Sequence, residues 1–101
     1  MKVANEILRQ LGGNRFVAMT GAKNLIAGTR SLSMRLPRNA SKANYLRITL
    51  NGLDLYDVEF ISIRGMNMKT KAAFTDVYND MLTDIFESTT KMYTSLGTMG
   101  R

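Results

Sequence analysis

Cysteine and histidine are both absent from this 101-residue chain. Without cysteine there is no disulfide, no thiolate metal site and no thiol nucleophile. Without histidine the commonest general base and the commonest zinc ligand are missing. No converging pair of acids is evident, so the usual acid–base and nucleophilic arrangements cannot be assembled, and neither enzymatic activity nor a cofactor or metal is expected. No run approaches the roughly eighteen apolar residues of a membrane span, and no membrane partner is expected. The opening Met1-Lys2-Val3-Ala4-Asn5-Glu6 is too polar for a secretory signal, which predicts a cytoplasmic protein.

What is present is an ordinary globular balance, 45% hydrophobic and 22% charged, at a length suited to one domain spanning residues 1–101. Its charge is lopsided. Residues 1–53 carry nine basic side chains against the single acid Glu6, and residues 54–101 carry five against seven acids. The halves stand at +8 and −2, for a total of +6. Such asymmetry points to a cationic face for an anionic partner, set against the plainer alternative of a solubilising surface.

Hydrophobic period divides the chain. Val3, Ala4, Ile7, Leu8 and Leu11 recur at helical spacing, and Gly12-Gly13 supplies a stop, which predicts a helix over 2–11. Phe16, Ala18 and Thr20 alternate with Arg15, Val17 and Met19, which reads as a strand. Thr20-Gly21-Ala22-Lys23-Asn24 reads as a turn after it, lacking the glycine spacing of a phosphate-cradling loop. Leu32, Met34 and Leu36 alternate with Ser31, Ser33 and Arg35 until Pro37, which has no N–H for a sheet ladder. Residues 38–44 are a polar loop. Leu46, Ile48 and Leu50 alternate with Tyr45, Arg47 and Thr49, and Asn51-Gly52 is a strong hairpin signal. A fourth strand runs from Tyr56, with a phase slip near residue 60 that implies a bulge. Phe74, Val77, Tyr78, Met81, Leu82, Ile85, Phe86, Thr89 and Tyr93 fall on one helical stripe. This predicts a long C-terminal helix, capped by Thr70 or Thr75 and ended by Gly97.

The expected fold is therefore an α+β two-layer sandwich. It has an N-terminal helix, a four-stranded antiparallel sheet and a long C-terminal helix in the order α-β-β-β-β-α. Two resemblances follow. The runs Leu11 to Asn24, LGGNRFVAMTGAKN, and Leu53 to Phe60, LDLYDVEF, resemble small uncharacterised proteins of bacteriophages and bacterial mobile elements. That resemblance implies a bacterial host cytoplasm and no particular activity. In topology alone, four antiparallel strands and a long helix are similar to the PC4-like, Whirly and Pur-type single-stranded nucleic-acid binders.

The chemistry-bearing residues are basic. Arg35 and Arg47 occupy outward strand positions, Tyr45 shares their phase, and Arg30, Arg38 and Lys42 flank them. Guanidinium groups contact phosphates and an aromatic ring stacks on bases, the two parts a single-strand binder combines. These six residues are the expected nucleic-acid site, for single-stranded DNA or RNA. The competing reading pairs the arginines with Asp57 and Glu59 across strands. Asp76, Asp80, Asp84 and Glu87 would line one face of the long helix, either for Mg²⁺ or, more simply, as its solvated back. Met66 and Met68 fill the core or form a partner-facing patch. The alternative function is a non-enzymatic protein-interaction module, such as a phage-encoded inhibitor of a host protein or an assembly factor. A sheet this small leaves edges that need cover, so a homodimer is also expected.

Overall fold

In a computed structural model that describes residues 2–94, helix α1 (Lys2–Leu11) forms where its apolar spacing places it. Ala4, Ile7 and Leu11 are buried along one stripe. The helix stops where Gly12 and Gly13 take φ of 125° and 64°, and the Gly13 N–H donates to the Leu8 carbonyl at 2.8 Å.

The next segment overturns the expected strand at 15–20. Asn14–Thr20 is a second helix, α2, with Phe16 and Thr20 buried four residues apart. Its two-residue alternation was accidental, because the buried pair is Phe16 and Thr20, with Val17 packed beside them. The Thr20 hydroxyl donates to the Phe16 carbonyl at 2.7 Å and accepts from the Ala22 N–H. Gly21 closes the helix at φ 75°. Residues 20–24 are thus a helix-to-strand joint and not a hairpin turn.

Five strands follow where four were expected: β1 (Lys23–Ala27), β2 (Ser31–Arg35), β3 (Tyr45–Leu50), β4 (Tyr56–Arg64) and β5 (Asn67–Val77). All are antiparallel, in the spatial order β1-β2-β3-β4-β5. Strands β2 to β4 match the alternating pattern. Between β3 and β4 the left-handed residue is Asp54 (φ 61°), not Asn51 or Gly52. Asn51 instead caps the loop with its Oδ1, accepting from the Leu53 and Leu55 N–H groups at 2.8 and 3.2 Å. The expected slip near residue 60 is a register shift between Phe60 and Ile61 in the pairing of β4 with β5.

The long helix is shorter than its stripe suggests. Phe74 and Val77 belong to β5, a 3₁₀ turn covers Asn79–Met81, and α3 spans only Leu82–Thr90. Thr70 and Thr75 lie within β5 and cap nothing, and Gly97 falls outside the described residues. Tyr78, Met81 and Tyr93 are exposed.

Two layers result. Leu32, Met34, Leu46, Ile48, Val58 and Phe60 project from the sheet into a core shared with Ile7, Leu11, Phe16, Leu82 and Phe86 of the helices. The rings of Phe16 and Phe86 meet edge-on at 5.0 Å, and Phe86 lies 6.3 Å from Phe60. Each such buried side chain contributes about 1.5–3 kcal/mol. Among the described residues no helix covers the other sheet face, as antiparallel sheets allow. The two edges are unequal. β1 is five residues long and irregular, whereas β5 is eleven long and carries Lys69, Lys71 and two register shifts, devices that discourage edge pairing.

Candidate nucleic-acid interface

Alternation along β2 and β3 turns Ser31, Ser33 and Arg35, and Tyr45, Arg47 and Thr49, away from the helices. Register then lines them up in rows. Arg35 lies opposite Lys23 on one side and Tyr45 on the other. Arg47 lies between Ser33 and Glu59, and Thr49 between Ser31 and Asp57. The outward phase is therefore as the alternation implied, although Ser33 and Ile61 are buried on this face.

The six expected site residues do not form one surface. Arg47 donates to the Glu59 carboxylate, with Nη1 to Oε1 at 3.3 Å, and both side chains are about two-fifths exposed. Its charge is largely balanced where it stands. Arg30 lies at the far end of the sheet, where its guanidinium donates to the Leu50 and Asn51 carbonyls at 3.2 and 3.1 Å. It ties the β1–β2 turn to the end of β3. Arg35, Arg38, Lys42 and Tyr45 remain together at the opposite end, beside the β2–β3 loop.

That loop is rigidly organised. The Asn39 Nδ2 donates to the Pro37 and Ala43 carbonyls, each at 2.8 Å. Its Oδ1 accepts from the Ser41 N–H at 3.0 Å and from the Ser41 hydroxyl. Lys42 is held in the left-handed region at φ 68°. Asn44 stitches the loop's end to β4, exchanging two 2.8 Å hydrogen bonds with the Ile63 backbone. Because β4 runs antiparallel to β3, its last residue, Arg64, comes beside this loop. Sequence reasoning did not place Arg64, or Lys23, in the site. A strict meander with the observed strand ends would have brought both there.

Charge is consequently segregated along the strand axis. Lys23, Arg35, Arg38, Lys42 and Arg64 gather at one end of the sheet. Asp54, Asp57 and Asp76 gather at the other, where the Asn51 amide donates to both Asp57 and Asp76. Among the described residues the ion pairs are Arg9–Glu6 and Arg47–Glu59, so the five cations at the basic end have no protein counter-ion.

The supposed acidic stripe is broken up. Asp76 is on β5, Asp80 in the 3₁₀ turn, and only Asp84 and Glu87 are on α3. Glu87 accepts from the Thr94 N–H and hydroxyl at 2.8 and 2.9 Å. Met66 and Met68 lie at the β4–β5 hairpin, fully and largely exposed, so they are not core filling. No protein-family model, no curated protein and no solved structure matches the chain.

Proposed function

We propose that the protein binds single-stranded nucleic acid at the basic end of its sheet. The observation that carries this reading is the segregation of cations, unpaired among the described residues, at one end from the sheet's aspartates at the other. Phosphates would meet Arg35, Arg38, Lys42 and Arg64, with Lys23 beside them, as counterions are released. Tyr45, half-buried next to Arg35, offers a ring on which a base stacks. A sheet face and a loop suit a single strand better than a duplex groove, which usually admits a helix or ribbon. The bacteriophage resemblance fits such a role in a bacterial host cytoplasm. Arg47 and Arg30 stand outside the proposed contact set, since each already has protein partners.

The test is fluorescence anisotropy on labelled single-stranded DNA, single-stranded RNA and duplex at low salt. Binding should favour single strands, and Arg35→Glu with Arg38→Glu should weaken it at least tenfold. No binding to any of the three would refute the reading. A second reading, a protein-interaction module, draws on β5. Its outer edge offers backbone N–H and C=O groups that the two lysines and two register shifts interrupt but do not cover, and Met66 and Met68 lie exposed beside it. A second copy of the chain paired there would give the expected homodimer, visible by light scattering at tens of micromolar.

A further inference from the structure

The β2–β3 loop and the end of β4 enclose an open cleft of about 440 Å³. It is lined by Pro37, Arg38, Asn39, Ala43, Asn44 and, as the remaining cations, Lys42 and Arg64. Among the described residues no carboxylate lines it, and none of its three cations is in an ion pair. Its polar amides are largely engaged, with one Asn44 amide hydrogen left over. Asn39 uses both amide hydrogens and its oxygen within the loop, and Asn44 exchanges its pair of bonds with Ile63. The charged groups left to meet a ligand are two guanidinium forks and one ammonium. Guanidinium matches two oxygens of a phosphate at once, and an ammonium adds a point charge. The volume falls within the range of small-ligand sites and exceeds what a bare anion fills. The Pro37 ring and Ala43 supply apolar surface for the rest.

We infer that this cleft is a phosphate site of nucleotide size, with Arg38, Lys42 and Arg64 holding the phosphate. The inference rests on the nucleic-acid reading for the source of that phosphate, while its charge complement stands on the cleft alone. The rigid loop gives it a preformed shape. Asn39 and Asn44 act as positioning residues that fix the cations' backbone.

The source is a phosphodiester within a strand or a terminal phosphomonoester, and the two are separable. The full chain, labelled with ¹⁵N, is titrated with inorganic phosphate against chloride at equal ionic strength. The Ala43, Asn44 and Arg64 amides should shift with phosphate and not with chloride. Arg64→Gln and Lys42→Gln should each weaken that response at least fivefold, and Arg15→Gln, on the exposed side of α2, should leave it unchanged. A short thymidine oligonucleotide is then added with and without a 5′-phosphate. Tighter displacement by the phosphorylated form assigns a terminal monoester, and equal displacement assigns a backbone diester. Absence of phosphate-specific shifts at these amides overturns the cleft even if oligonucleotides bind elsewhere. Phosphate-specific shifts without oligonucleotide binding would uphold the cleft and overturn the nucleic-acid reading.

Discussion

Replacing Phe86 by Ala should be among the most damaging single changes in the described chain. The side chain is 2% exposed and contacts the rings of both Phe16 and Phe60. Truncating a buried phenylalanine costs about 3–5 kcal/mol through lost transfer energy and the cavity left behind. Each aromatic contact contributes about 0.5–1.5 kcal/mol beyond area, which puts this site near the upper end. A domain of this size has about 5–15 kcal/mol in total, so the variant should be marginal. Tyr78→Ala is the matched comparison. It lies on the same helical stripe in sequence but is 61% exposed between β5 and the 3₁₀ turn, so it should cost under about 0.5 kcal/mol. Phe74, half-buried with its ring 6.3 Å from that of Phe60, should fall between the two. Urea denaturation with a common slope reads all three. At a slope near 1.5 kcal/mol per molar, a 4 kcal/mol loss moves the midpoint by about 2.7 M. Tyr78→Ala proving as costly as Phe86→Ala would refute the placement of residues 67–77 in a strand and restore a continuous helix.

Salt dependence should report the number of phosphate contacts. Four cations at about −0.7 each give a log–log slope near −2.8, or about a fiftyfold loss of affinity between about 50 and 200 mM salt. Arg35→Gln should lower that loss to about eighteenfold, measured by anisotropy. Lys91 ends α3 at φ 64°, the place Gly21 holds in α2, so Lys91→Gly should raise stability by about 1 kcal/mol in the same denaturation assay. Asn44→Ala strands the Ile63 N–H and carbonyl and should cost about 1–3 kcal/mol, with faster exchange of the Ile63 amide. Burial, and then the nearby Glu6 charge, push the Tyr56 phenol above its ordinary value of 10.0. The folded state therefore holds that proton more tightly, and stability should be level below the ordinary value and fall as pH rises toward the raised one. Tyr56→Phe should remove this alkaline decline in melting temperature.

The legible elements were those with one uninterrupted period. Helix α1 sends every third or fourth residue into the core, β2 and β3 every second, and β4 every second up to its slip at Phe60, and their boundaries lie close to where the pattern put them. Strand β5 misled because its two register shifts, around Lys71 and before Val77, insert extra residues. Its inward side chains Ala72, Phe74 and Val77 are then spaced by two and three, which continues smoothly into the true helical spacing of Leu82 and Phe86. Helix α2 is short enough that six residues fit either period. Strand β1 buries almost nothing and so leaves no hydrophobic trace. At the site, Arg35 and Tyr45 were readable from alternation alone. The Arg47–Glu59 pair was open to the sequence as the competing cross-strand reading. The carbonyl partners of Arg30, and the arrival of Arg64 beside Lys42, depend on which strand ends meet at one end of the sheet. The split between the chain's halves was likewise a poor guide. Charge separates in space along the strands, so Arg64 of the acidic half sits among the cations of the basic half.

The covering layer has a consequence for synthesis on the ribosome. The sheet is a meander in which each strand pairs with its sequence neighbours, so hairpins form as they emerge. Its inner face, however, is roofed by the first helix and the last together, since Ile7 and Leu11 share their core with Leu82 and Phe86. A nascent chain halted after Val77 would own a finished sheet and only part of its roof. Val58 and Phe60 would then be open to water, and the product would be a ready target for chaperones and proteases. Docking of α3, through Leu82 and Phe86, is thus the step that closes the core over the finished sheet.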